Sequence, residues 1–524
     1  MNEPSGSLRR VFTTTTMIKN FTCLLLASLF ITYTAQGQDY SPKREFRGVW
    51  VATVQNIDWP SKKGLNSDRQ KQELTNIFDE HQKSGMNAIM FQIRPSADAL
   101  YAKSSEEWSM FLSGKQGVAP SPLYDPLEFA IQEAHLRGME LHAWFNPYRA
   151  TNDLIDANTS QRHITRTKPE WFFTYAGKKY FNPGIPEVRQ YIVSIIMNVV
   201  RNYDIDGVHF DDYFYPYPGK EILPDSLAYA AYGSNKFPSI EDWRRNNVDM
   251  LIKELNDSIH TEKKFVKFGI SPFGIWRNKK DDALGSETNG LSGYSALYAD
   301  ARKWLSEGWI DYINPQVYFP FKYPAAAYEK LVDWWSNNAY GRHIYIGQGV
   351  YRATEQRDGW KQKNQLPEQV RYLRKNPRVQ GSVYFSSKSL TNNLAGFQDS
   401  LRQDLYRSKA LIPTMIWLDA IPPQSPLKLA VKRSKGSNEL TWESPLPVRD
   451  NEPAYGYVVY RFETGEEIDI NNPDKIRNIS FDSSKRSFLD KDTRKRARYT
   501  YVVTTLDRLK NESLPSNDIK VKSK

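Results

Sequence analysis

Two adjacent carboxylates, Asp211 and Asp212, close the segment Asp204-Ile205-Asp206-Gly207-Val208-His209-Phe210-Asp211-Asp212-Tyr213-Phe214-Tyr215, which reads as a buried strand ending in acids and aromatics. Carboxyl groups held in one pocket divide a proton between them, so that one serves as acid and the other as base, nucleophile or charge stabiliser. Hydrolysis of a glycosidic bond asks for such a pair, because its transition state carries oxocarbenium charge. Adjacent residues of a regular strand face opposite ways. With Val208 and Phe210 on one face, His209, Asp211 and Tyr213 share the other, so Asp211 is the expected inward carboxylate. Asp212 joins it if the strand bends at its end, and both are the expected catalytic residues. Asp206 reads as a structural acid at the strand start, and His209 either tunes Asp211 through a hydrogen bond or is a buried structural histidine.

The elements that must position these acids repeat along the chain. Eight short apolar, β-rich runs (46–53, 86–93, 139–146, 207–213, 267–274, 311–318, 343–350 and 381–387) alternate with helical segments at 68–84, 126–137, 186–203, 240–259, 294–307, 325–338 and 366–375. Pro126 and Pro186 stand where a first helical turn accepts proline. Strand–helix alternation implies parallel pairing, and eight repeats predict an α/β fold of the (β/α)8, or TIM-barrel, class. In that class the strand C-termini converge on one mouth. The long connections 147–183, 214–239 and 275–293 all follow strand C-termini and are expected to wall a groove.

Other strand ends carry a matching polar set: Gln92 and Arg94, then His142, Trp144 and Asn146, then Ser271 and Phe273, Gln316 and Tyr318, and Gln348. Polar groups on apolar strands are costly to bury unpartnered, and one shared ligand pocket accounts for the set. Asp58, Asp98 and Glu287 are further acids at mouth or loop positions. Trp59, Trp144, Tyr215 and Trp276 are candidates for stacking on the apolar faces of sugar rings.

Length and composition fit this reading. A chain of 524 residues exceeds one domain, and 40% hydrophobic with 13% aromatic residues easily builds a large core. Met17, Lys19, the apolar stretch 21–31 and Ala35-Gln36-Gly37 read as a secretory signal ending at residue 37, with 1–16 an extension upstream of the start, so export to the periplasm, cell envelope or medium is expected. The apolar stretch is too short for a stable membrane span. Cys23, the single cysteine, falls inside it, which leaves no disulfide or thiolate chemistry to residues 38–524. Without a Cys/His set or an acidic loop of metal spacing, no metal or organic cofactor is expected. The formal charge of +11 suits either a basic soluble surface or an anionic polymer. No Lys/Arg-rich nucleic-acid module is present, so nucleic acid is not an expected partner.

From Ile421-Pro422-Pro423 onward the pattern changes to short strands without helices, at 427–432, 438–442, 455–462, 499–506 and 518–521. This predicts a barrel over 38–412 and a small all-β sandwich over 413–524. The pieces Leu440-Thr441-Trp442, Gly456-Tyr457-Val458-Val459-Tyr460-Arg461 and Tyr499-Thr500-Tyr501-Val502-Val503 resemble a fibronectin type III domain, with Trp442 as core tryptophan and Tyr499 as corner tyrosine.

The runs Phe91-Gln92-Ile93-Arg94-Pro95 with Asp98-Ala99-Leu100-Tyr101, His142-Ala143-Trp144-Phe145-Asn146-Pro147-Tyr148-Arg149, 206–216, 269–278 and 311–318, together with 46–54 and Asp58-Trp59-Pro60-Ser61, resemble the glycoside hydrolase-like 10 family. That resemblance covers roughly residues 44–387. It implies a barrel glycosidase of the bacterial envelope that cuts peptidoglycan glycan strands stripped of their stem peptides, with the Asp211–Asp212 motif at the centre of catalysis. The barrel family that hydrolyses chitin is similar in its fourth strand and in a sixth-strand tyrosine matched by Tyr318. Here Tyr213 stands where that family keeps its acid glutamate. The proton donor is therefore sought among Asp212, Asp98, Asp58 and Glu287, Asp212 first, and a substrate-assisted route through the N-acetyl oxygen is open. Arg94, Arg149 and Arg277 are candidates to pair with muramic-acid lactyl carboxylates. Two other functions fit the same residues: hydrolysis of another capsular or dietary polysaccharide, and glycan binding without catalysis.

Overall fold

The structure, a computed structural model, describes residues 41–155, 159–357, 359–362, 364–447 and 452–524. The expected signal segment 1–37, with Cys23, lies outside the described residues. In chain order the first strands are β1 (Phe46–Val51), β2 (Ala88–Arg94), β3 (Glu140–Phe145), β4 (Phe172–Tyr175), β5 (Lys178–Phe181), β6 (Gly207–Phe210), β7 (Lys267–Ile270), β8 (Tyr312–Ile313), β9 (His343–Gly349) and β10 (Gly381–Phe385). All but β4 and β5 pair in parallel around a closed barrel, in the order β1-β10-β9-β8-β7-β6-β3-β2. The eight barrel strands are those expected from the apolar runs.

These strands are buried along nearly their whole length, which is why they read as continuous apolar runs rather than alternating ones. Their outward faces meet helices that begin and end where the sequence signals stand. Asn66 and Asp125 cap the helices Ser67–Lys83 and Pro126–Leu136 by accepting first-turn amides. The helix expected over 294–307 is instead two short pieces, Gly293–Ala296 and Ala301–Ser306, separated where Tyr298 takes a left-handed conformation.

Small residues inside the barrel make room for large ones. A Cβ on Gly207 would meet His142 Nδ1 at 2.5 Å, and one on Gly269 would meet the Tyr312 ring at 2.1 Å. The glycines therefore let an imidazole and a phenol cross the barrel axis. A chain of hydrogen bonds results: Trp50 Nε1 donates to His209 Nε2 (3.0 Å), His209 Nδ1 meets Tyr312 Oη (3.1 Å), Tyr312 Oη meets His142 Nδ1 (2.8 Å), and His142 Nε2 meets Glu140 (3.1 Å). Because the indole N–H can only donate, His209 is held neutral with its proton on Nδ1.

Beyond the barrel, β11 (Leu427–Ser434), β12 (Ser437–Glu443), β13 (Gly456–Glu463), β14 (Ile476–Ser480), β15 (Ser487–Asp490), β16 (Arg498–Leu506) and β17 (Ile519–Lys522) form two antiparallel sheets, β11-β12-β15 and β14-β13-β16-β17. Trp442, Tyr457 and Tyr499 pack between them, and Tyr499 Oη accepts the Arg494 amide at 3.1 Å. The other face of the four-stranded sheet, with Val458, Tyr460 and Phe462, joins Phe46, Tyr312 and Tyr345 in one apolar cluster at the N-terminal end of the barrel. Lys510 is fully buried there, its ammonium 3.1 Å from Glu140, which also takes Lys267 at 2.6 Å. Among the described residues no helix is long and apolar enough to cross a membrane.

Candidate active site

Strand β6 stops at Phe210, and this frees both following residues from strict alternation. Asp211 and Asp212 consequently face the same cavity of about 380 Å³ at the C-terminal mouth of the barrel, although each is more than nine-tenths buried. The expected bend at the strand end is therefore present.

Each carboxylate is held by neutral donors. Asp211 Oδ2 accepts from Asn146 Nδ2 and from Trp144 Nε1 (3.2 Å), and its Oδ1 accepts the Tyr213 amide (3.2 Å). Asn146 is itself fixed by Gln92 Nε2 (2.6 Å), whose Oε1 takes the amides of Thr53 and Val54 at 2.9 Å. Asp212 accepts from Tyr217 Oη and from Gln316 Nε2 (2.9 Å). Burial, and then the charge of Asp212, push Asp211 up to about 7, and burial raises Asp212 as well. Two coupled buried carboxyls without a paired cation hold one proton between them near neutrality.

Of the residues expected from sequence, Gln92, Trp144, Tyr213, Ser271, Gln316 and Tyr318 line this cavity with Asp211 and Asp212, as does Arg149. Ser271 Oγ has no protein partner among the described residues. Asn146 stands behind Asp211. His209 and His142 lie inside the barrel on the chain beneath Trp50, at one remove from the cavity.

Others are corrected by their surroundings. Asp58 is a clasp, accepting the Ala52 and Lys388 amides and Ser386 Oγ, each at 2.8 Å. Trp59 is fully buried against Phe91, with its N–H spent on the Gln70 carbonyl, so it presents no stacking face. Arg94 forks onto Glu106 at 2.6 and 2.7 Å below the rim. Asp98 is buried beside a separate small crevice, and burial holds it up to about 7. Tyr215 packs edge-on against Tyr298, and Trp276 stacks on Trp334 while donating to Asp300 (2.9 Å). Arg277 pairs with Asp282 (2.6 Å), and Glu287 is exposed between Lys279 and Lys330. The acids Asp419, Glu452 and Asp507, which could approach one cation, also lie outside the cavity.

The cavity has walls that the sequence reading missed. Trp50, Tyr351 and Phe385 supply aromatic surface, Tyr217 reaches Asp212, and Lys178 enters from the β4–β5 hairpin. The hairpin signal was present: Ala176-Gly177, both at positive φ, join two short aromatic-rich stretches as a two-residue turn.

The chain is similar to known proteins along most of its length. Residues 45–363 match the glycosyl hydrolase-like 10 family. The glycosyl hydrolase YngK of Bacillus subtilis (strain 168) is 46% identical over 481 residues, covering 90% of this chain and 92% of that protein. The glycosyl hydrolase DigH of Escherichia coli (strain K12) is 38% identical over 363 residues, covering 65% of this chain and 82% of that protein. Among solved structures, the PgaB (BpsB) glycoside hydrolase domain from Bordetella bronchiseptica aligns at 14% identity and a TM-score of 0.46, covering 71% of this chain and 100% of that one. With its closed barrel and its match across most of the barrel's length, the chain is a hydrolase belonging to the glycosyl hydrolase-like 10 family.

Proposed function

We propose that this protein is an exported glycosidase acting on an N-acetylhexosamine polymer, namely peptidoglycan glycan strands stripped of their stem peptides. The observation that carries the reaction is the buried, neutrally solvated pair Asp211–Asp212 in the mouth of the barrel. The pair shares one proton near neutrality, and Asp212, which accepts from the Tyr217 hydroxyl and from Gln316, is assigned the role of general acid that delivers it. Asp211 then orients the reacting sugar and stabilises charge as the leaving oxygen is protonated. Tyr318 lines the cavity and its hydroxyl makes no hydrogen bond among the described residues, which leaves it free to donate to an acetamido oxygen. Trp50 and Trp144 supply apolar wall for a pyranose ring.

The test incubates the full chain and its Asp211→Asn variant with intact peptidoglycan and with amidase-stripped strands, scoring released fragments by mass. Release from stripped strands by the native protein alone is expected. Retention of polymer without new reducing ends would overturn the reading in favour of a glycan-binding protein.

A further inference from the structure

We propose that one wall of this cavity, built from Arg149, Lys178 and Asn152, is a subsite for a carboxylate carried by the sugar chain. The proposal rests on the glycosidase reading of the cavity and adds a specificity determinant to it.

Four arginines are buried among the described residues, and three are paired. Arg47 meets Glu45 at 2.8 Å, Arg94 meets Glu106 at 2.6 Å, and Arg244 meets Asp225 at 2.5 Å. Arg149, only 8% exposed, is the fourth, and among the described residues no carboxylate lies within ion-pair distance of it. Its guanidinium lies over the Tyr213 ring, 4.4 Å from the centroid, and its one protein hydrogen bond is a 3.5 Å contact with the Pro95 carbonyl. Stacking occupies the face of a guanidinium and leaves its N–H edge for a planar, two-oxygen acceptor.

The backbone fixes this arrangement. Arg149 bridges to Tyr180 on β5, and its carbonyl takes the Ala97 amide at 3.1 Å. Lys178 begins the same strand β5 and also lines the cavity, half-buried, with no ion pair or hydrogen bond among the described residues. Burial, and then the charge of Arg149, lower the Lys178 ammonium, so the two cations repel each other across the wall. Asn152, tied to Ser96 Oγ at 2.7 Å, adds a polar amide beside them. The charge of Arg149 draws down the proton affinities of Asp211 and Asp212, yet burial prevails in both and neither lies within ion-pair distance of it.

The cavity thus holds two regions of opposite character: an acid pair for the scissile bond and a cationic wall for a neighbouring substituent. A lactyl ether freed of its peptide or a hexuronic acid supplies the matching anion. A lactyl amide does not, and it would leave the buried Arg149 without a counter-charge.

The test measures binding to the full chain by calorimetry at low salt. The probes are a GlcNAc–MurNAc tetrasaccharide with free lactyl carboxylates, the same sugar with those carboxylates converted to methylamides, and a GlcNAc–glucuronic acid tetrasaccharide. The native protein should bind a carboxylate form about 10- to 100-fold tighter than the methylamide. Arg149→Met and Lys178→Met should each reduce that preference, and Arg149→Lys should retain part of it. Lys178→Met, at a partly exposed position, guards against a folding defect in Arg149→Met. Preference for the glucuronic acid probe alone supports the subsite and assigns its anion to a hexuronic acid. Equal affinity for acid and methylamide, or an undiminished preference in Arg149→Met and Lys178→Met, would overturn the subsite even if every probe is cleaved. A carboxylate preference without cleavage would sustain the subsite and sink the glycosidase reading, and absence of binding to any probe would overturn both.

Discussion

At the mouth of the barrel Asp211 and Asp212 are buried among amides, an indole and a phenol; at its base Glu140 and Asp206 are buried among Lys267, Lys510, Arg508 and His135. Burial pushes both pairs toward the protonated form. At the base the charges of Lys267 and Lys510 overcome it and hold Glu140 well below the usual carboxylate range, while His135, Arg508 and Lys510 do the same for Asp206. At the mouth nothing overcomes it, and Asp211 rises to about 7. The same side chain is thus made a permanent anion where it holds domains together and a proton carrier where chemistry is done.

The largest expected effect lies at the mouth. Asp211→Asn should lower release of reducing ends from stripped strands by about 10³-fold, the scale of a lost acid–base partner. It should also stabilise the fold at neutral pH. An unfolded Asp ionises near ~3.9, whereas the folded group waits until about 7. Between these values the native chain binds the extra proton, so the native protein loses stability as pH rises through that window. The variant, which has no such proton, should gain on it from pH 4 to pH 7 in urea unfolding. A variant less stable than the native protein at pH 8 would make Asp211 a structural anion and erase the contrast.

At the base the prediction reverses. Glu140→Gln leaves Lys267 and Lys510 buried without their shared anion, which should cost about 3–5 kcal/mol, read from urea unfolding at pH 7. The depressed Glu140 and Asp206 contribute stability above about pH 4 and lose it as pH falls through their folded values, an acid-side loss opposite in sign to that of Asp211. The turnover number of the folded fraction should change little. A marked fall would show instead that the base sets the mouth through the His142–Tyr312–His209–Trp50 chain.

The barrel was legible because its strands are buried throughout, so each appears as an apolar run between helix caps and glycines. Asp211 and Asp212 were legible for the related reason that acids are rare at the end of such a run. Which aromatics and arginines face the cavity was not legible. Trp59, Tyr215 and Trp276 stand in the same strand-end contexts as Trp144, and only their partners across the fold sort packing from lining. Arg94 ends one barrel strand and Arg149 closely follows another, yet Glu106 claims the first and no carboxylate among the described residues claims the second. Lys178 was hidden because its strand is a four-residue insertion within a loop.

A smaller effect sharpens how the mouth is tuned. Tyr217 donates to Asp212 and lowers its proton affinity, although burial prevails. Tyr217→Phe removes that donor from the charged form, so the pair should keep its proton to higher pH. The alkaline limb of the kcat/KM profile should move up by on the order of one pH unit. Movement downward would mean that the phenol stabilises the protonated form and that Asp212 is not the donor.

The smallest effect belongs to a third environment. Glu287 is fully exposed, and hydrogen bonds from Lys330 and then Lys279 lower its proton affinity instead of raising it. It lies outside the cavity and stays ionised at every pH where a glycosidase needs a proton donor. Glu287→Gln should therefore leave both the rate of release from stripped strands and its pH profile at native values. A loss of the alkaline limb in this variant would place the proton donor on the loop after β7, with Asp212 reduced to a neighbour that raises the charge cost of Asp211. Neither solvent nor its two lysines favour that outcome, because both stabilise the charged form that a general acid must avoid before it acts.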